Sequence, residues 1–210
     1  MRIPLLVHLG AAAEAAPLVV AAVVRRPQRG ARRWVLAWSG LLVCADVVQL
    51  WLAVHAVHNL WVGYVGTAAG ALVLWGLASW QTGATQRLAL QVATVLFLVV
   101  WVVLTVSVDN TSELSRAGSP MANVACLLAA AYTLLARSVS SRADLLDQDW
   151  FWVTAGLALY FAIWSAMDLM RALLFGRDFL LMSRLEQVGF ALNIVAFLAI
   201  ARGVACQAER

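Results

Sequence analysis

Apolar residues run along this chain in blocks of about twenty, the length an α-helix needs to cross a bilayer. Seven such blocks can be marked, at 4–24, 34–54, 59–80, 88–108, 121–136, 150–175 and 184–204. The fifth is the shortest. Each is too long for a strand, lacks the alternation of a membrane barrel, and ends in Gly, Asn, Ser, Gln or a charge cluster. Helices satisfy their own backbone hydrogen bonds in lipid, so a helical bundle is the spanning solution left. The expected fold class is an all-α, seven-transmembrane-helix bundle, a single transmembrane domain over 1–210. The blocks leave too little chain between them for a separate soluble domain.

Composition narrows the class further. Of 210 residues, 63% are apolar and 12% charged, against roughly 45–50% and about 25% in soluble domains. That excludes a soluble globule, a disordered chain and a nucleic-acid module, even with a formal charge of +4. Cys44 and Cys126 fall inside spans and Cys206 near the C-terminus, so no disulfide framework is implied. The chain has no lysine, which excludes a retinal Schiff base, and no GxSxG nucleophile motif. All its cations are arginines, and they are unevenly placed. Arg25, Arg26, Arg29, Arg32, Arg33, Arg87, Arg137, Arg142, Arg202 and Arg210 fall on one side, and Arg2, Arg116, Arg171, Arg177 and Arg184 on the other. The positive-inside bias then puts the N-terminus outside and the C-terminus in the cytoplasm, in what is expected to be a bacterial cytoplasmic membrane. Trp34, Trp80, Trp150 and Trp152 at inner ends, and Trp51 and Trp61 at outer ends, read as headgroup anchors.

The first block has some features of a secretory signal, but Glu14 interrupts its centre and Arg25-Arg26 follows it, so it is read as a span. A weak 3+1+3 pseudo-repeat is visible. Asp46 precedes Val62-Gly63-Tyr64 as Asp168 precedes Val188-Gly189-Phe190, with spacings that differ by four residues.

Charges at helix centres cost about 2.5–3.5 kcal/mol each on insertion scales and persist where they face protein or water. Glu14 and Asp46 are such charges, at roughly 15 Å and 12 Å from the outer ends of the first two spans at a rise of about 1.5 Å per residue. The alanines around Glu14 allow a second helix close approach, and Gln49 sits one turn outward of Asp46. In the sixth span Tyr160, Trp164, Asp168 and Arg171 share a face, and in the seventh Glu186 and Asn193 lie two turns apart. Together these residues predict a polar pocket in the outer half of the bundle, with little to match it in the inner half. The structural alternative is an Asp168–Arg171 ion pair at a helix end and an Asn193 that bridges helices.

His8, His55 and His58 also fall at the outer side, and His55-x-x-His58 invites a metal reading. Helical periodicity places them off the faces of Glu14 and Asp46, so they read as interfacial; His55 and His58 are the only weak metal candidates, and no cofactor is expected. Gly63, Gly66 and Gly70 predict close helix packing. The nearly all-apolar fourth span predicts contact with lipid or with another membrane subunit.

His58-Asn59-Leu60-Trp61 with Tyr64, Phe151-Trp152 with Gly156 and Tyr160-Phe161, and Asn193 resemble the pattern of a family of bacterial seven-helix integral membrane proteins. Its members often carry Asn-Asn-Leu-Trp where this chain has His58-Asn59-Leu60-Trp61. The resemblance implies the seven-helix fold and brings no activity, ligand or catalytic residue with it. The seven-helix zinc hydrolases of the ceramidase and adiponectin-receptor type are a poorer comparison, since they look for histidines where this chain has Asn193. The leading expectation is a binding protein, a sensor or carrier that holds a small molecule or ion. The alternatives are a membrane-embedded hydrolase in which Glu14 or Asp46 activates water, with or without a metal, and a structural subunit of a membrane complex.

Overall fold

The structure, a computed structural model, describes residues 5–25, 28, 30–110, 115–140, 144–174 and 178–206. Arg2, Arg26, Arg29, Arg142, Arg177 and Arg210, which enter the charge asymmetry, lie outside them. The helices are α1 (Leu5–Glu14), α2 (Ala16–Val24), α3 (Ala31–Val54), α4 (Trp61–Ala68), α5 (Gly70–Ser79), α6 (Ala84–Ser107), α7 (Gly118–Ser140), α8 (Asp149–Leu174) and α9 (Phe179–Ala205). Among the described residues there is no strand, and a 3-10 turn at Leu145–Asp147 precedes α8. Six helical segments are long and apolar enough to cross a membrane: Ala31–Val54, Trp61–Ser79, Ala84–Ser107, Gly118–Ser140, Asp149–Leu174 and Leu180–Ala205. A shorter apolar helix, His8–Val24, precedes them. This is the architecture of a helical membrane protein.

The fifth apolar block is longer than its hydropathy implies, because α7 runs on through polar ends. Ser138 and Ser140 donate their hydroxyls to the carbonyls of Leu134 at 2.6 Å and Ala136 at 2.8 Å, so the helix satisfies them itself. Two segments expected to be continuous are interrupted, the first at Ala15 and the third at Ala69. Their counterparts in the pseudo-repeat, α7 and α9, run without a break.

α9 packs between α8 and the α1–α2 pair, α8 between α7 and α9, and α5 against α3, α6 and α7. Trp38 of α3 reaches into the middle, stacked on Phe197 at 5.7 Å and edge-on to Tyr160 at 5.0 Å. α6 stands outside this ring, against α5 and α7, with Val95, Val99, Val102 and Val106 exposed. The tightest seam is between α8 and α9. A Cβ added at Gly156 would lie 2.6 Å from the Ile200 side chain and 2.7 Å from the Ala196 carbonyl, and one at Gly203 2.8 Å from the Asp149 carbonyl. The glycines expected to mark close packing do so less: Gly63 has open space beside it, Gly66 meets Leu42 at 3.8 Å, and Gly70 alone is close, at 3.0 Å from Cys126 Sγ.

The expectation that the arginine-rich end is poor in internal polar groups is overturned. Arg32 Nε pairs with Asp149 Oδ2 at 3.4 Å, both side chains under a tenth exposed, and Arg32 Nη1 donates to the Cys206 carbonyl at 3.1 Å. Arg137 Nη1 donates to the Trp80 carbonyl at 2.7 Å and its guanidinium lies 5.1 Å from the Trp150 ring centroid. Trp150 is thus a buried wall and no headgroup anchor. Sequence counting missed this because an arginine near a span end scores as a loop charge whether or not it turns inward.

At the opposite end, Asp109 organises the entry to α7. Its carboxylate accepts from Ser115 Oγ at 2.6 Å and from the backbone N–H groups of Arg116, Ala117 and Gly118 at 2.8, 3.1 and 2.9 Å. Partial burial raises its pKa, but these donors outweigh that and hold it below the ordinary aspartate value.

Gly156→Leu should destabilise the protein by about 1–3 kcal/mol through overpacking, read as a lower thermal midpoint in detergent. Arg32→Leu should cost about 3–5 kcal/mol because it removes the cation paired with buried Asp149, whereas Arg32→Leu with Asp149→Leu should recover most of that loss; a double-mutant cycle on the same midpoints measures it. The lowered pKa of Asp109 stabilises the fold above the ordinary aspartate pKa of about 3.9. That contribution disappears as pH falls through the lowered value. Asp109→Ala should therefore cost about 1 kcal/mol at neutral pH and flatten the acid limb of a stability-against-pH curve.

Candidate functional site

The site begins with a break in the first apolar segment. Pro17 has no N–H to return to Ala13, and its ring crowds the preceding turn. The ladder tightens there to a bond from Ala15 N to the Ala12 carbonyl at 3.2 Å, and the Glu14 carbonyl accepts instead from Ser39 Oγ of α3 at 2.5 Å. Glu14, the last residue of α1, is left in the middle of the bundle with 8% of its surface exposed.

Two other helices meet it. Asp46 of α3 brings its carboxyl to hydrogen-bonding distance of the Glu14 carboxyl. Asn193 of α9, fully buried, donates from Nδ2 to Glu14 Oε1 at 3.4 Å, and its Oδ1 has no hydrogen-bond partner. Asp46 is half-buried and gives the pair its contact with the surroundings. One to two turns toward the arginine-rich end, Trp38, Phe161 and Phe197 are packed and buried, so rings close that side. Tyr160 joins this stack, at 5.5 Å from Phe197, and lies within electrostatic reach of Glu14, Asp46 and Asp168. A separate surface hollow on α2, lined by Val19, Ala22, Val23 and Arg25, lies past Glu14 toward the arginine-rich end.

A second polar group sits nearer the other end of α8. Asp168 accepts at Oδ2 from Asn123 Nδ2 at 2.8 Å and from Ser119 Oγ at 3.2 Å, and its Oδ1 is 3.7 Å from Arg171 Nη1. Arg171 also pairs with Glu186 Oε1 at 3.3 Å, and its guanidinium lies 5.3 Å from the Trp164 ring centroid. The residues expected to line one pocket thus form two groups. Glu14, Asp46 and Asn193 meet at the centre; Trp164, Asp168, Arg171 and Glu186 form a group further from the arginine-rich end, and Tyr160 stands with the ring stack.

Three expected participants stand apart. Gln49 enters through its backbone carbonyl, which accepts from Asn59 Nδ2 at 3.3 Å. His55 and His58 are exposed beyond the end of α3, and the His55 ring lies 4.4 Å from Trp51. His55 is roughly 13 Å along the axis from Asp46 at the helical rise. Among the described residues no three His, Cys, Asp or Glu side chains gather as a metal-ligand set. The residues that sequence reasoning passed over are Ser39, Ser119, Asn123 and Pro17. Ser119 and Asn123 carried a signal, since they are four apart on one helical face inside an alanine-rich run. Pro17, three residues after a buried acid, announces an interrupted helix.

No protein-family profile matches this chain, and neither a curated protein nor a solved structure matches it, so its resemblance to the seven-helix family stays at the residues quoted for it.

Proposed function

We propose that the protein is a seven-span membrane carrier that binds a small molecule or ion at the Glu14–Asp46–Asn193 site. The observation that carries this reading is a buried acid at the break of an interrupted helix, met by a second acid from α3 and an amide from α9. Interrupted helices with polar groups at mid-bilayer suit solute binding, because a polar group held at that depth is expensive unless it works with its neighbours.

α1 and α2 together run from Leu5 to Val24, about 30 Å at the helical rise, long enough to count as the seventh span. The described arginines favour an external N-terminus: Arg25, Arg32, Arg33, Arg87, Arg137 and Arg202 lie at one end, and Arg116, Arg171 and Arg184 at the other. A carrier is preferred over a sensor because charge-paired clusters stand at both ends of the central site. Arg171 with Asp168 and Glu186 lies on the outer side, and Arg32 with Asp149 on the inner side. A site that must face each side in turn needs a closure at both.

Purified protein reconstituted in liposomes on a solid-supported membrane, challenged with inorganic cations, amines and amino acids, should give a saturable current with at least one solute. Glu14→Gln and Asp46→Asn should each reduce it at least tenfold, while Arg184→Gln at the exposed end of α9 should leave it unchanged. The absence of current with every solute, or a current that survives both acid substitutions, refutes the reading.

A further inference from the structure

We infer that the Glu14–Asp46–Asn193 group is a sodium site, in which one bound sodium ion takes the place of one proton. The inference rests on the carrier reading and names the ion that its central site takes.

Two ionised carboxylates offer acceptors and no donor, so carboxyls in contact need a proton or a cation between them. Glu14 and Asp46 are in that position. Asn193 supplies an independent indication. It is fully buried, its Nδ2 holds Glu14 Oε1, and the oxygen of the same amide head is left without a partner. Leaving a buried acceptor in that state is costly. A cation seated between the carboxyls would be reached by Asn193 Oδ1 as a third oxygen from a third helix, and would satisfy it.

The donor set selects the ion. Carboxylate and amide oxygens are hard ligands, and no thiolate or imidazole stands with them to favour a transition metal. Calcium asks for six to eight oxygens, and magnesium keeps several waters in a near-ideal octahedron; two carboxylates and one amide oxygen offer fewer than calcium asks for. Charge points the same way. With one shared proton the pair carries a single net negative charge, and with both carboxyls ionised around one sodium ion it carries the same. The exchange therefore leaves the buried charge unchanged, whereas a divalent ion would alter it in a medium that penalises such changes.

The step balances as written. Sodium enters, bonds form to carboxylate oxygens of Glu14 and Asp46 and to Asn193 Oδ1, and the proton held by the pair leaves to water. The titratable groups facing the pair are few. Tyr160 of α8 lies within electrostatic range of both acids, and of Asp168 of α8 and Cys126 of α7. α9 faces the pair with Asn193, and its Glu186, two turns outward, is paired with Arg171.

Equilibrium dialysis of the full-length protein in nanodiscs against radioactive sodium should give about one ion per chain. Its affinity should fall about tenfold per unit of pH decrease where the proton competes. Potassium and choline should not displace the ion, and its addition to weakly buffered protein should release about one proton. Glu14→Gln and Asp46→Asn should lower the affinity at least tenfold. Asn193→Ala should lower it about tenfold while proton release on binding persists. Wild-type dialysis and proton release decide the matter even where a variant fails to fold. No saturable sodium binding at any pH, binding without proton release, or undiminished binding in a folded Glu14→Gln protein overturns the assignment. If solute currents persist in that case, the carrier reading stands and the sodium assignment alone falls.

Discussion

The contact between the Glu14 and Asp46 carboxyls governs how the centre of the bundle is built. Two acids at that depth are costly, and nearly every unusual feature nearby acts on the cost. Pro17 opens the turn and sets Glu14 at the end of α1, and Ser39 satisfies the carbonyl that the break exposes. Ala11 to Ala16 keep that stretch thin enough for α3 and α9 to bring in Asp46 and Asn193. Trp38, Phe161 and Phe197 fill the space on one side. What is left unsatisfied there is one amide oxygen, Oδ1 of Asn193, beside the two acids.

Six of the seven span positions were legible in the sequence because hydropathy measures the same cost that the bilayer imposes, and the places of Glu14, Asp46 and Asn193 along their helices followed from counting rise. The grouping of the polar residues was not legible. Helical periodicity shows which residues of one helix share a face, and it correctly put Tyr160, Trp164, Asp168 and Arg171 together. It carries no information on which helices are neighbours. Asp168 therefore appeared to belong with Glu14, when its partners Ser119 and Asn123 come from α7. Small polar side chains such as Ser39 escaped for a related reason, since a hydroxyl that bonds to backbone lowers hydropathy only slightly. Arg32 was visible and misread, because a charge at a span end looks the same in sequence whether it faces water or Asp149.

α8 links the three polar groups, with Asp149 at one end, Tyr160 at the centre and Asp168 toward the other end. Close contact through Gly156 and Gly203 fixes α8 to α9, which carries Asn193 and Glu186. α3 holds the opposing groups, Arg32 at the arginine-rich end and Asp46 at the centre. Widening the space between Asp46 and Asn193 at the arginine-rich end must draw α3 from α8 and α9, and Arg32 then leaves both Asp149 and the Cys206 carbonyl. A buried ion pair is a poor source of stability compared with apolar packing of the same volume, yet breaking it is expensive. The pair therefore adds little to the fold as a whole and resists separation of the helices at one defined place.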